Sequence, residues 1–341
     1  MTAALSVTNN LSLADWSRRL DPDGKVPKIA ELLAQSNEII DDAVFLEGNL
    51  PTGHRYTMRT GLPTIYYRTL NQGVPTSKST TTTVDEACGI LEARSHIDVE
   101  LAKLNGNSAS FRLSEDAAFL EGMNQAWVQA LFYGNPSTDP RQILGLATRY
   151  SAISGAGNAQ NIISAGGSGN CTSIWLVGWS DDTVACPFPK GSTAGLMHQD
   201  LGEESVPDAN NNFYQALRTL YQWKSGLMVK DWRYVVRIPN ISISDLTGQT
   251  GTQASTASTA IINLMSRAID RIPFPGKVKL AFYANRTVYS MLRVAALNKS
   301  NAALSIEKGL TQFGTATNMT TFLGVPLRKV DQILSTETAI S

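Results

Sequence analysis

Histidine and cysteine are the side chains that most often bind zinc or act as nucleophiles and bases, and the chain has three of each. None of them stands at the short spacing typical of metal ligands, so we expect no metal site. A Ser-His-Asp triad can be assembled from residues far apart in sequence, and a hydrolase with dispersed catalytic residues therefore stays open as an alternative. The residues concerned are His54, His96, His198, Cys88, Cys171 and Cys186.

Glycine-rich stretches could cradle phosphate groups, but each candidate lacks an essential residue. The segment SAGGSGNCTS at 164–173 has no P-loop lysine, and it misses the last glycine of a nucleophile elbow. The segment SGAGNAQN at 154–161 stops after two glycines of the dinucleotide fingerprint. Asn285 and Arg286 precede an apolar-periodic stretch, and we interpret Asn285 as a helix N-cap and not as part of an anion site. We expect no cofactor and no enzymatic activity.

Charge is distributed one-sidedly along one part of the chain. No Asp or Glu occurs between Gly48 and Val84, where the basic residues are Arg55, Arg59, Arg68 and Lys78. The next stretch, 85–121, has eight acidic and three basic residues, a balance of −5. The first stretch also contains a polar Ser/Thr run that has too little apolar surface to form a core of its own.

Composition narrows the class of protein. The 341 residues are 43% hydrophobic, enough for a substantial core, but only 17% are charged, against about 25% in a typical domain. The 29 basic and 29 acidic residues cancel, so overall charge cannot hold nucleic acid. Three scattered cysteines favour a reducing compartment. We find no signal peptide and no apolar run that could span a membrane.

Hydrophobic periodicity and the positions of glycine and proline predict a mixed α+β architecture without internal repeats. We expect an N-terminal arm over 1–26, and helices over about 28–44 and 258–272 and after Asn285. A further helix of about twenty residues should begin at an N-cap, Ser114, and stop at Gly134.

Strands are predicted from alternation and apolar runs. The segments HRYTMRT at 54–60 and PTIYYRTL at 63–70 indicate two strands of a long hairpin-like loop. SIWLVGW at 173–179 is typical of a buried strand, and 215–238 alternates over two runs that suggest paired strands. TTFLGVPLRKVDQIL at 320–334 is interpreted as one late strand.

The order of these elements resembles the major capsid proteins of tailed bacteriophages, which share the Hong Kong 97-type fold. Residues 32–81, 105–135 and 226–238 look like segments of capsid proteins from short-tailed phages of the epsilon15 type. FLGVPLRKVDQIL at 322–334 is similar to a late strand common to many such proteins. The resemblance covers most of 30–335, and the order of the segments strengthens it.

The resemblance implies a division of the chain into named parts. Residues 1–45 would form the N-terminal arm and first helix, and 46–95 the extended loop. Residues 96–150 would hold the spine helix and the first part of the peripheral domain. The rest of the peripheral domain and the axial domain would occupy 151–320, followed by a C-terminal strand of the peripheral domain at 321–341.

The resemblance also implies partners. The extended loop would lie over a neighbouring copy, so that its basic side chains meet the acidic stretch of that copy. Copies would form hexamers and pentamers of an icosahedral head, assembled in the host cytoplasm, with packaged double-stranded DNA held non-specifically. A portal protein, a separate scaffolding protein and a cementing protein are further expected partners. The residues expected in the contact are Arg55, Arg59, Arg68, Lys78, Asp85, Glu86, Glu115 and Asp116.

Two other interpretations stay open from the sequence. A tail or fibre component would also be low in charge and rich in threonine, and the other alternative is the hydrolase with dispersed catalytic residues. Some relatives cross-link Lys to Asn covalently. Because Lys78 is the only lysine of the loop and no partner can be identified for it, we expect a non-covalent shell.

Overall fold

The computed structural model describes residues 35, 37–103, 108–155, 157–208, 210–247, 252–296, 304–310 and 316–341. The predicted arm, and the part of the predicted first helix that precedes residue 35, lie outside them. The chain divides into two compact units. The larger contains Asn37–Gly89, Gln129–Ala194 and Ser225–Ser341, and the smaller contains Ile90–Val128 and Gly195–Lys224 together with Gln35.

The larger unit is built on a mixed nine-stranded sheet. Its strand order is β1-β5-β4-β10-β13-β12-β11, with β8 paired to β5 and β9 paired to β4. The strands are β1 Phe45–Glu47, β4 Cys171–Trp179, β5 Val184–Phe188, β8 Met228–Val229, β9 Val235–Ser242, β10 Lys279–Ala284, β11 Leu304–Leu310, β12 Ala316–Phe322 and β13 Val325–Lys329. Every residue of β4 is buried, as the apolar run at 174–179 predicts.

Helices cover this sheet. In the larger unit they are α1 Ile39–Asp42, α4 Leu146–Arg149, α5 Ile243–Thr247, α6 Thr252–Asp270 and α7 Arg286–Ala296. The buried stripe of α6 includes Ile261, Met265 and Ala268, which belong to one core cluster with Ile174 of β4 and Phe282 of β10. The predicted N-cap of α7 is confirmed, because the Val288 N–H donates to Asn285 Oδ1 at 2.9 Å.

The smaller unit combines a long helix with strands. Helix α2 spans Val99–Lys103 and α3 spans Ser108–Tyr133, the last five residues of α3 belonging to the larger unit. Strands β6 Leu196–Pro207 and β7 Phe213–Gly226 form an antiparallel hairpin. The Trp127 ring of α3 stacks on the Trp223 ring of β7 with centroids 4.8 Å apart. No described helix is both long and apolar enough to span a bilayer.

Two helix boundaries were wrong. Helix α3 begins at Ser108 and not after Ser114, so Ser114 lies inside the helix and cannot cap it. Its 26 residues span about 39 Å, longer than the twenty expected, and it ends before Gly134 as predicted. The predicted helix over 28–44 is not continuous in its described part. Asn37 forms a β-bridge with Val330, and the helix is limited to Ile39–Asp42.

Three strand predictions were also wrong. The late strand is a hairpin, because Leu323 and Gly324 both have positive φ (48° and 78°) and turn the chain between β12 and β13. The two runs within 215–238 do not pair with each other: β7 pairs with β6, and β9 pairs with β4. A short 3-10 turn at Trp232–Tyr234, capped by Asp231, redirects the chain between them. PTIYYRTL forms no strand.

A buried charge pair ties the segment around Glu337 to β4 and β9. Arg237 Nη2 lies 2.9 Å from Glu337 Oε2, and both side chains are at most 6% exposed. Arg237 also donates to Ser173 Oγ and to the Tyr150 carbonyl, while Tyr133 donates to the other carboxylate oxygen of Glu337. Backbone bonds in both directions join Glu337 to Cys171. Every charge in this cluster therefore has a partner.

Removing one member of this pair should destabilise the larger unit strongly. Arg237→Met leaves the Glu337 carboxylate buried and uncompensated, which typically costs about 3–5 kcal/mol. The matched control is Arg141→Met, which removes an exposed arginine paired with Asp139 and should change stability little. Urea unfolding of unassembled subunits measures both. Equal midpoints for the two variants would contradict a structural role for the buried pair.

Candidate assembly surface

A long antiparallel ribbon is part of the larger unit. Its strands are β2, Gly53–Gly61, and the first part of β3, which covers Thr80–Asp98 in all. Strand β3 also pairs with β7, so that the strands of this second sheet follow the order β2-β3-β7-β6. Strands β2 and β3 pair antiparallel from Gly53 opposite Ala87 to Gly61 opposite Thr80, with an irregularity between Arg59 and Gly61. Residues 62–79 connect them without helix or strand. We call residues 53–87 the strap. The hairpin-like loop predicted from sequence is thus present, and its first strand is confirmed.

The base of the strap is fixed by a buried ion pair. Arg149 donates to both carboxylate oxygens of Glu86, at 2.8 and 2.6 Å, and to the Leu227 carbonyl at 3.1 Å. The Tyr56 hydroxyl lies 2.8 Å from the Val229 carbonyl oxygen and 3.2 Å from Glu86 Oε1. Burial, with the nearby Glu86 charge, raises the pKa of Tyr56 above its usual range, so this hydroxyl stays protonated.

Close backbone packing adds to this anchor. A Cβ on Gly53 would lie 2.0 Å from the Glu86 carbonyl oxygen, so only glycine allows β2 to approach β3 there. The Cys88 N–H donates to the Thr52 carbonyl at 2.9 Å. Beside the anchor a cavity of about 260 Å³ is bordered by Tyr56, Arg149 and Trp232. The base of the strap is therefore attached to the larger unit by an ion pair and by close backbone packing.

We call the connecting residues 62–79 the tip of the strap. The tip carries apolar side chains that are exposed to solvent in the subunit. Leu62, Ile65 and Leu70 are 80%, 84% and 92% exposed, and Tyr67 is fully exposed. Tyr66 and Val74 are about half exposed. Single exposed apolar residues are ordinary, but several within one short connection are typical of a contact surface. Our sequence interpretation missed it, because PTIYYRTL was assigned to a strand and the excursion was treated as polar.

The charged residues of the strap fall into two groups. Arg55 and Asp85 face each other across the ribbon and form a two-bond ion pair, with Nε–Oδ1 at 2.5 Å and Nη2–Oδ2 at 2.6 Å. The hydrogen bond from Arg55 lowers the pKa of Asp85. By contrast, Arg59, Arg68 and Lys78 have no carboxylate partner within the part of the chain that the structure describes.

The structure assigns Glu86 to the anchor and not to a surface. It is 6% exposed and bound to Arg149, so it cannot meet the basic side chains of another copy. Arg55 and Asp85 also satisfy one another inside the strap. The partner of Glu86 was not found from sequence, since Arg149 lies 63 positions away with no pattern linking the two.

The two acids expected on the long helix lie in the smaller unit. Asp116 accepts a hydrogen bond from the Tyr221 hydroxyl and lies 3.8 Å from His198 Nε2. Glu115 borders an apolar groove beside Phe119. His54, His96 and His198 are not brought together, and no group of His, Cys, Asp and Glu within the described ranges could hold a metal ion.

Comparisons with known proteins found one family model and several similar solved structures. The family model described as major capsid protein GP7 matches residues 21–341. The solved structure of bacteriophage Epsilon15 is 29% identical, with 99% of each chain covered and a TM-score of 0.74. The capsid of bacteriophage JBD30 is 8% identical, with 90% of this chain and 95% of that chain covered and a TM-score of 0.49. No curated protein sequence matches the chain.

Arg149→Met should loosen the base of the strap. The variant leaves the buried Glu86 carboxylate without its charge partner, and losing only 1.4 kcal/mol raises a local opening equilibrium about tenfold. We therefore expect amide hydrogen exchange in Gly53–Gly61 to accelerate by roughly tenfold or more. Arg55→Met is the matched control, since it removes an exposed pair from the same ribbon and should leave the base intact. Similar exchange in both variants would show that the anchor does not hold the strap.

Proposed function

The chain belongs to the major capsid protein GP7 family, and on this premise we propose that the strap joins neighbouring copies of the chain in the capsid. The protein is a bacteriophage major capsid protein of the Hong Kong 97-type fold, and it assembles with copies of itself into the icosahedral shell. A tail or fibre role and a hydrolase role are not favoured. We also propose that the protein is purely structural, with no catalytic step.

The observation that supports the joining role is the exposed apolar tip on an anchored base. Burying one Leu or Ile side chain contributes about 1.5–3 kcal/mol, whereas an exposed ion pair contributes about 0.2–1 kcal/mol. Burial of the apolar tip by a neighbouring copy therefore stabilises the contact more than its ion pairs do. The electrostatic contact expected from sequence becomes a guide to register and specificity.

We propose the following arrangement. The tip of one strap covers apolar surface on the next copy, and Arg59, Arg68 and Lys78 face the acidic stretch there, with Glu115 and Asp116 as the expected carboxylates. One patch meets a different patch, so repetition closes a ring, as hexamers and pentamers require. The extended loop of 46–95, the arm of 1–45 and the division of 96–341 into spine, peripheral and axial parts are proposed on the same family basis.

Other partners follow from the same premise. We propose a separate scaffolding protein during assembly in the host cytoplasm, a portal protein, a cementing protein and non-specifically held double-stranded DNA. Cys88, Cys171 and Cys186 are free thiols, and Lys78 has no identified partner for a cross-link. We accordingly propose that the shell is held without covalent bonds between subunits.

Replacing the apolar tip should abolish assembly and leave the subunit folded. We expect the triple variant Leu62→Ser, Ile65→Ser and Tyr67→Ser to keep the urea midpoint of the parent, because these side chains are exposed in the subunit. Negative-stain microscopy should then show no closed particles. Phe274→Ser is the control, since Phe274 is 59% exposed but lies outside the strap. Normal particles from the triple variant would refute the joining role.

Reversing the unpaired charges should have a smaller, salt-dependent effect. We expect Arg59→Glu, Arg68→Glu and Lys78→Glu together to slow assembly mainly at low ionic strength, because exposed charges are screened over about 10 Å at 0.1 M salt. Light scattering at two salt concentrations measures the rate. Arg55→Met with Asp85→Leu is the matched control, since that pair is closed within the strap. If the variant assembled at the parent's rate at low salt, these charges would have no role in the contact.

A further inference from the structure

An apolar groove lies between β3 and α3 in the smaller unit. It has a volume of about 460 Å³, and its walls include Leu91 of β3 and Phe119 and Met123 of α3. Two carboxylates, Glu92 and Glu115, also line it, and none of the described lining residues is basic. The groove is therefore an apolar surface with negative charge beside it, and we call it the α3 groove.

Small residues form the floor of the α3 groove. Ala118, Gly122 and Ala126 stand at intervals of four on one face of the helix, about 6 Å apart along its axis. Ala118 and Gly122 are exposed, and a Cβ built on Gly122 would meet no atom within 4 Å. The floor is therefore open, and it has room for large side chains that come from outside the subunit.

The tip of the strap is held in shape by hydrogen bonds of its own. The Ser77 hydroxyl donates to the Thr64 carbonyl at 2.8 Å and so joins the two sides of the tip. The chain turns at Asn71, whose φ is 62°, and the Gln72 N–H donates to the Thr69 carbonyl at 3.4 Å. A segment that is already shaped loses less conformational freedom when it binds. The tip can therefore bind as a preformed surface.

The tip matches the α3 groove in spacing and in charge. Ile65 and Tyr67 are strongly exposed and lie in the stretch 62–69, which contains neither helix nor turn. Two residues span at most about 7 Å, which is close to the 6 Å between neighbouring small residues of the floor. Arg68 and Lys78 have no carboxylate partner among the described residues, and their charge is opposite to that of the groove.

We propose that the tip of one strap binds in the α3 groove of a neighbouring copy, with Ile65 and Tyr67 against the small-residue floor. The inference rests on the joining role proposed for the strap, and it adds the surface that receives the tip. The side chains at positions 118 and 122 then determine how closely the tip approaches and which side chains fit. Apolar contact supplies the stability, and the opposite charges favour this pairing over contact between two tips.

Filling the groove tests the proposal with a closely matched control. Ala118 and Ala117 are adjacent, exposed alanines of α3, but only Ala118 lines the groove. We expect Ala118→Phe to keep the urea midpoint of the parent and to lower the yield of closed particles roughly tenfold or more, because the added ring occupies the space of the tip. Ala117→Phe should assemble as the parent does. Equal particle yields from the two variants, counted by negative-stain microscopy, would overturn the proposal.

Disulfide trapping between copies identifies the contact directly. Subunits carrying Tyr67→Cys are mixed with subunits carrying Ala118→Cys, assembled and oxidised with copper phenanthroline. Each chain then has only one of the two added cysteines, so a bond between them joins different copies. Peptide mass spectrometry should find the bond between positions 67 and 118 in a yield roughly tenfold or more above that from a mixture with Ala117→Cys.

The outcomes separate this inference from the proposed function. If the triple tip variant fails to assemble while Ala118→Phe assembles normally, or while position 67 bonds to a residue away from the groove, the strap joins copies but the α3 groove does not receive it. If the triple tip variant assembles normally, the joining role is wrong and this inference is wrong with it. Loss of particles in both variants, together with the bond between positions 67 and 118, is the result that we expect.

Discussion

A two-stranded ribbon has no interior, and this constraint governs how the strap can work. Side chains on such a ribbon face solvent unless another layer covers them, and an isolated hairpin is at best marginally stable in water. The strap solves the problem at its base, where Glu86, Arg149 and Tyr56 join it to the larger unit. At its tip no other part of the described subunit covers the apolar side chains, which are Leu62, Ile65, Tyr67 and Leu70. On the proposed function, these apolar side chains are buried only when copies of the chain assemble.

The distribution of charge follows the same division. Where the strap meets its own subunit, each ionised group has a partner, as with Glu86 and Arg149 or Arg55 and Asp85. Toward the tip, Arg59, Arg68 and Lys78 have none among the described residues. Paired charges help to fix the ribbon on its own subunit, while unpaired charges of one sign disfavour association of two tips with each other. The arrangement favours contact between unlike surfaces over contact between like ones.

The sequence predicted the elements whose signals are local. It did not predict pairings and contacts between residues that are far apart in the chain. Strand β4, helix α6 and the Asn285 cap were predicted because their signals lie within a few neighbouring residues. The turn at Leu323 was missed because leucine rarely adopts positive φ, and the pairing of β9 with β4 joins residues some sixty positions apart. In the candidate site, the one-sided charge was visible in the sequence. The apolar tip and the Arg149 anchor required knowledge of which side chains are buried.

The strand order also determines when, during translation, the partners of β4 become available. Strand β4 is buried along its whole length, yet its neighbours β9 and β10 follow it in the chain, and β10 ends 105 residues after Trp179 (284 − 179). At about 5–20 residues per second, a ribosome needs roughly 5–20 s to produce them. Until both strands have been made, β4 has at least one unpaired edge, and it carries no charged residue to discourage pairing with other chains. Chaperone access in this window, and the speed of translation through it, would then govern the yield of soluble subunits.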